Sequence, residues 1–361
     1  MKATTRLHDA GQSIWLDNIT RDLLTSGTLA RYIDELAVTG LTSNPTIFDQ
    51  AIESTGAYDE AIRARIGEDL EGEDLFFELA LEDLRAAAAA FQPIHERTGG
   101  VDGWVSLEVS PLLADDAEST IAAAKDLFAR AEVPNLFIKI PGTSEGLAAI
   151  EECIFAGIPV NVTLLFSREQ YLAQAEADLR AIERRLEAGL DPAVGSVASV
   201  FVSRWDAAVR DEIPAELENR LGIAVAKRTY AAYRELLDSP RWQRLAAAGG
   251  QPQRLLFAST GTKDPQASDV LYVTALAARQ TINTMPEKTL LAFADHGSFD
   301  ELLSADGGDG EQTIAAAAQA GVDVDALALR LQQEGAEAFE RSWHGLLECI
   351  ARKTDVLVAA K

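Results

Sequence analysis

Lys139 stands in the middle of "NLFIKIPGT" (135–143), where Leu136, Phe137, Ile138 and Ile140 make the run read as a strand buried on both faces. A full positive charge in such a place costs several kcal/mol unless it is paired. Burial and neighbouring cations favour the uncharged form of a lysine, and an uncharged amine is a nucleophile. It adds to a ketone or aldehyde and forms a Schiff base, whose protonated imine accepts the electrons of a breaking carbon–carbon bond. Nearby carboxylates would then move the protons. Taken alone, Lys139 reads more readily as a strand-end lysine that reaches solvent or pairs with an acid.

Candidate partners recur at the ends of other apolar runs. Side chains on a strand alternate with period two, so Thr42 and Asn44 share a face, as do Ser106 and Glu108, Asn161 and Thr163, and Ser199, Phe201 and Ser203. Asp17 closes "SIWLD". If these faces point inward, Asp17, Asn44, Glu108, Lys139, Asn161 and Thr163 converge on one mouth, a costly grouping for a core and a reasonable one for a site. Asp17 and Glu108 suit proton transfer, and Asn44 and Asn161 suit hydrogen bonding to hydroxyls. Each has a plainer reading as well: "LDN" and "SNP" are turn or helix-cap sequences, Glu108 is a solvated strand end, Asn161 and Thr163 satisfy neighbouring backbone groups, and Ser199 is a small core filler. Arg204 reads as a partner for Asp206 or Asp211.

The elements that would position these residues alternate. Eight strand-like segments lie at 13–18, 38–44, 103–110, 135–143, 159–166, 195–203, 254–260 and 289–297, the last being "TLLAFADHG". Between them run helical periodicities such as 75–91, 167–189 (N-cap Ser167, closing on Gly189), 216–238 and 325–353. Strands alternating with helices imply parallel βα units, and eight of them predict a (β/α)8 barrel with active-site residues at the carboxyl ends of the strands. Lys139 falls on the fourth strand by this count. A doubly wound sheet would predict a glycine-rich phosphate loop, and neither GxGxxG nor GxxxxGK[ST] occurs. The reading is one domain over 1–361, with a helical insertion around 45–100 and a C-terminal helix around 325–353. "ADGGDGE" (305–311) reads as a mobile loop, and His296 as a turn residue near the mouth with a supporting role at most.

Composition narrows the class. The chain has 361 residues, 47% apolar, with a formal net charge of -25. Nucleic-acid binding needs a basic face and is disfavoured. No apolar run has membrane-spanning length, no signal-like segment opens the chain, and Cys153 and Cys349 form no CxxC pair, so a cytoplasmic protein with free thiols is expected. The scattered histidines give no metal spacing.

"GLTSNPTIF", "VSLEVSP", "LFIKIPGTSEG", "GIPVNVTLLFS" and "VASVFVSRWD", in order between "WLDN" and "LLFASTGTKDP", resemble the transaldolase family. The resemblance covers most of the chain and implies an aldolase-type barrel with its lysine on the fourth strand. It implies that Lys139 forms the Schiff base and that Asp17 takes the proton of the substrate C4 hydroxyl. Glu108 and Thr163 would hold a water, and Asn44 and Asn161 would bind dihydroxyacetone hydroxyls with Thr42 beside them. Ser199 and Arg204 would bind the sugar phosphate. Phe201 stands where fructose-6-phosphate aldolases commonly carry tyrosine, which favours transfer over release. The implied activity moves a dihydroxyacetone unit from sedoheptulose 7-phosphate to glyceraldehyde 3-phosphate, without metal or organic cofactor. One departure is "ASTGTKDP", where other branches have a serine-aromatic-arginine motif. Ser259 keeps the serine, and Lys263 is expected to replace the arginine, the bland alternative being an exposed lysine beside Asp264. The alternatives are an aldolase that releases dihydroxyacetone and a non-catalytic sugar-phosphate-binding barrel. Sugar phosphates are the expected partners, and monomer and homodimer remain equally open.

Overall fold

A computed structural model describes residues 1–66, 68, 70 and 72–359. Eight parallel strands form the centre: β1 (Gln12–Asp17), β2 (Val38–Thr42), β3 (Val105–Glu108), β4 (Leu136–Pro141), β5 (Val160–Leu165), β6 (Ser196–Phe201), β7 (Arg254–Ala258) and β8 (Thr281–Met285). Each pairs with its sequence neighbour from β3 to β8, β8 pairs with β1, and β1 pairs with β2. The ring closes through the parallel bridge between Gly40 and Trp104, with Leu41 N–H donating to the Trp104 carbonyl at 3.0 Å. Helices alternate with the strands around this barrel. Strands such as β5 are buried along their whole length, the pattern of parallel strands covered on both faces.

The interior is packed, not hollow. Trp15, Trp104, Phe137, Val197, Leu256 and Ile282 fill its lower half, and Trp104 stacks on Phe137 with ring centroids 4.1 Å apart. Gly40 makes room for this layer: a Cβ there would stand 2.8 Å from both the Trp15 indole and the Trp104 carbonyl. At the amino end of the strands Asp102 accepts from Ser13 Oγ and from Trp15 Nε1, closing the floor with polar contacts. Nearer the carboxyl ends the interior positions are mostly polar, with Phe201 and Ala258 as apolar members.

Seven of the eight expected strands are found in place; the eighth is not. The run 289–297 lies in a helix, Glu287–His296, and the strand is the preceding "TINTM". The helix buries Thr289, Leu290 and Phe293 while Leu291 is exposed, a one-sided helical stripe. "TINTM" carries three polar residues, which hide it from a search for apolar runs. Two of their side chains are engaged within the fold: Gln12 Nε2 donates to Thr281 Oγ1, and Thr260 Oγ1 donates to Asn283 Oδ1. His296 consequently ends a surface helix, exposed and 2.9 Å from Asp269, away from the mouth.

Three helices (Pro45–Ser54, Asp59–Arg65 and Gly72–Arg97) fill the segment expected to hold a helical insertion. The C-terminal helix runs from Val324 to Ala359, longer than its periodicity suggested, and packs along the Pro45–Ser54 helix. Lys353 anchors it by donating to the Ile52 carbonyl at 2.6 Å and to the Thr55 carbonyl. The 305–311 segment is pinned: Lys227 and Arg220 hold Asp309, and Arg228 holds Glu311 in a two-point ion pair. Glycines set its path, but these charges tether it.

Candidate active site

Strand register brings the chemistry together. Glu108 on β3 stands beside Lys139 on β4, Lys139 beside Asn161 on β5, and Asp17 on β1 beside Thr42 on β2. All side chains of this row point into the barrel near its carboxyl end, above the aromatic layer. Lys139 Nζ lies 2.6 Å from Glu108 Oε1 and donates to the Ser43 carbonyl at 2.7 Å. Its side chain is 9% exposed and that of Glu108 is 12%, so this is a nearly dry ion pair. Burial raises Glu108 above the ordinary glutamate range, and the charge of Lys139 is the largest influence opposing that rise. Asp17 is raised too. Burial is the main cause, opposed by Lys139, by Thr42 Oγ1 donating at 2.8 Å, and by Lys263 and Asn44. Both carboxyls therefore hold their protons to higher pH than free carboxylates.

The row opens onto a cavity of about 340 Å³ lined by Asp17, Thr42, Asn44, Lys139, Asn161 and Thr163 on one side, and by Ser199, Phe201, Arg204, Ser259 and Lys263 on the other. Eleven of the twelve site candidates from sequence thus meet there. Glu108 is the exception; it stands behind Lys139 and reaches the cavity through it.

Asn44 bears out its helix-cap reading and also lines the cavity. Its Oδ1 caps the helix that begins at Pro45 by accepting from Ile47 N–H at 3.1 Å, and its amide nitrogen is left for the cavity. Asn161 is held between Ser199 Oγ, which donates to its Oδ1 at 2.7 Å, and Ser106 Oγ at 3.4 Å. Ser199 is therefore no mere filler.

The far wall is cationic. Arg204 makes neither an ion pair with Asp206 or Asp211 nor a hydrogen bond to any of the described residues. Asp206 is engaged elsewhere, accepting from the backbone N–H groups of Leu221 and Gly222 and from Tyr272 Oη. The Arg204 guanidinium lies over Phe201 at 5.3 Å and over Phe339 at 6.0 Å, and burial lowers its pKa. Lys263 is exposed, and Asp264 turns to Asn219 rather than to it. Ser259, at φ 56, is hydrogen-bonded to Ser203 Oγ at 2.8 Å. In a chain of net charge -25, two cations that make no ion pair with a carboxylate among the described residues face one cavity, an arrangement suited to an anion.

Sequence reasoning missed three contributors. Thr284 lines the cavity and shares a 2.8 Å contact with Thr42 Oγ1; a correct placement of β8 would have found it. Phe339 comes from the C-terminal helix, and no local pattern signals it. The Ser43 carbonyl that receives Lys139 has no side-chain signature at all.

A lysine–carboxylate cluster faces two cations across a cavity at the carboxyl end of a parallel barrel, which places the chain among (β/α)8 barrels with a candidate site at that end. Comparison with known proteins gives the family. The family model described as transaldolase/fructose-6-phosphate aldolase matches residues 14–350. Curated proteins named transaldolase are similar over nearly the whole length. That of Saccharopolyspora erythraea is 44% identical over 97% of this chain and 97% of its own. That of Frankia alni is 43% identical over 97% and 96%, and that of Thermobifida fusca 44% over 96% and 97%. The chain belongs to the transaldolase/fructose-6-phosphate aldolase family. No helix among the described residues is long and apolar enough to cross a membrane.

Proposed function

We propose that the chain is a transaldolase acting through a Schiff base on Lys139. It would move a dihydroxyacetone unit from sedoheptulose 7-phosphate to glyceraldehyde 3-phosphate, giving erythrose 4-phosphate and fructose 6-phosphate in the pentose phosphate pathway. The observation that carries this reading is the Lys139–Glu108 pair at 2.6 Å, with Asp17 in the same row and, across the cavity, two cations that make no ion pair among the described residues.

Glu108 accepts the ammonium proton, and the neutral amine adds to the ketose C2 carbonyl. Protonation of the carbinolamine hydroxyl by the Glu108–Thr163 pair, through a water, releases water and leaves the iminium. Asp17 then takes the C4 hydroxyl proton. The C3–C4 bond breaks, its electrons enter the iminium, and an enamine and a free aldose phosphate result. Asn44 and Asn161 hold the hydroxyls of the three-carbon unit, with Thr42 orienting Asp17. The acceptor aldehyde enters, its phosphate bound by Arg204, Lys263 and the Ser199 and Ser259 region, and the steps run in reverse. The imine itself is the electron sink, so the reaction asks for no metal or organic cofactor.

Phe201 supports transfer over release. It offers no hydroxyl to activate water against the enamine, and it packs on Phe166 with centroids 5.4 Å apart. The helices between β2 and β3 and the C-terminal helix flank the same barrel, which supports one functional domain over 1–361. The buried free thiols Cys153 and Cys349 suit a reducing cytosol.

The test is a product assay with fructose 6-phosphate, with and without erythrose 4-phosphate. A transferase forms sedoheptulose 7-phosphate when the acceptor is present and releases little dihydroxyacetone without it. Release of dihydroxyacetone at the full turnover rate would make the chain an aldolase, and no turnover of either kind would leave only binding.

A further inference from the structure

One face of the C-terminal helix rests on the segments leaving β4, β5 and β6. Gln332 Nε2 donates to the Gly142 carbonyl at 3.0 Å and to the Leu164 carbonyl at 2.9 Å, spending both amide hydrogens. Three residues on, Gly335 faces the same place: a Cβ there would lie 2.9 Å from Leu164 Cδ2 and 3.2 Å from Arg204 Nη1. One turn further, Phe339 lines the cavity.

Leu164 is unusual. It is fully buried and sits at φ 58, a left-handed conformation that a branched side chain adopts only when the surroundings impose it. The register between β5 and β6 slips between Val162 and Leu165, so Leu164 belongs to a bulge. The bulge sends Leu164 into the cluster beneath the C-terminal helix and Leu165 into the main core. Thr163, immediately before it, lines the cavity, while its carbonyl accepts from Gly142 N–H at 2.8 Å. Backbone groups at the ends of β4 and β5 are thus locked to each other and to Gln332.

We propose that Gln332 is a positioning residue for the reaction: it clamps the Gly142 and Leu164 carbonyls and so holds the β5 bulge that aims Thr163 into the cavity. The inference rests on the Schiff-base reading above. It adds a requirement from an element remote in sequence, and it explains why a strained leucine follows a threonine placed to hold water beside the imine.

Gln332→Leu keeps much of the volume and removes both donors. The experiment measures kcat, KM and the single-turnover rate of borohydride-trapped adduct, in the wild-type and Thr163→Ala backgrounds. In the wild-type background, kcat and the trapping rate should fall about tenfold, with KM for the phosphorylated donor changing less than about twofold because Arg204 and Lys263 are untouched. In the Thr163→Ala background the same substitution should cost less than about twofold, because its target is gone. Equal losses in the two backgrounds would overturn the proposal, as would unchanged kcat with only a lower urea midpoint. Gln332→Ala serves the same comparison if the leucine variant does not fold. If the wild type itself forms no adduct on Lys139, the Schiff-base reading fails and takes this proposal with it. An adduct in the wild type with unaltered variant rates removes the Gln332 proposal alone.

Discussion

Replacing Lys139 by methionine probes how the site carries its charges. Methionine fills much of the lysine's space but leaves Glu108, whose side chain is 12% exposed, facing no cation. Breaking a buried ion pair in this way costs about 3–5 kcal/mol while the orphaned group stays charged. The carboxyl can escape that cost by keeping its proton. In the wild type burial already raises Glu108, and Lys139 is the main opposing influence. With the lysine gone, the folded protein holds the Glu108 proton to distinctly higher pH than the unfolded chain does. The folded state then binds more protons across the window above the ordinary carboxylate range, so stability falls as pH rises through it. Lys139→Met should therefore match the wild-type urea midpoint at about pH 5 and lose about 3 kcal/mol at about pH 8. Adding Glu108→Gln should recover most of the loss, because an amide is neutral at both values. Some slope should remain from Asp17, which also feels Lys139 but keeps Thr42 and Lys263. Urea titrations of wild type, both single variants and the double variant at the two pH values decide it. A deficit independent of pH, or a double variant as weak as Lys139→Met, would refute the reasoning.

Other consequences are simpler. Lys263→Ala should raise KM for phosphorylated substrates about tenfold, the worth of one charge-assisted contact, with a smaller change in kcat; an unchanged KM would return Lys263 to the surface. Asp178, buried on the Arg168–Glu187 helix, has its carboxyl raised by burial to about 7, with a hydrogen bond from Ser196 opposing. The folded state binds that proton where the unfolded chain does not, so Asp178 by itself contributes a fall in stability of about 4 kcal/mol as pH rises from about 4 through 7. Asp178→Asn should remove that slope and be the more stable protein at about pH 8; identical pH dependence of the two urea midpoints would contradict it.

The strands that carry the chemistry were legible where apolar and polar residues play separate parts. β4 announces itself because four apolar side chains surround Lys139, and β5 because Asn161 and Thr163 alternate with valine and leucine. β8 was hidden for the opposite reason. Thr281 and Asn283 are buried and hydrogen-bonded by Gln12 and Thr260, partners that lie far away in sequence, so no local pattern marks the strand. The apolar run that follows it was mistaken for a strand, although its buried positions repeat at helical spacing. Thr284 went missing with it. Gln332 and Phe339 were beyond reach because their meaning depends on where a 36-residue helix docks. That docking is set by contacts such as Lys353 to the Ile52 carbonyl, which periodicity does not encode. Asp17, Asn44 and Arg204 each had an ordinary explanation in sequence. Only for Asn44 does that explanation hold, as a helix cap that leaves its amide nitrogen to the site.

The central claim is that Lys139 is the nucleophile. Incubation with fructose 6-phosphate and borohydride, then peptide mass mapping, tests it most directly. The account predicts loss of activity in step with a reduced three-carbon adduct on the peptide containing Lys139, and no adduct in Lys139→Met. An adduct on another lysine, or an active preparation that borohydride neither labels nor inactivates, would contradict it.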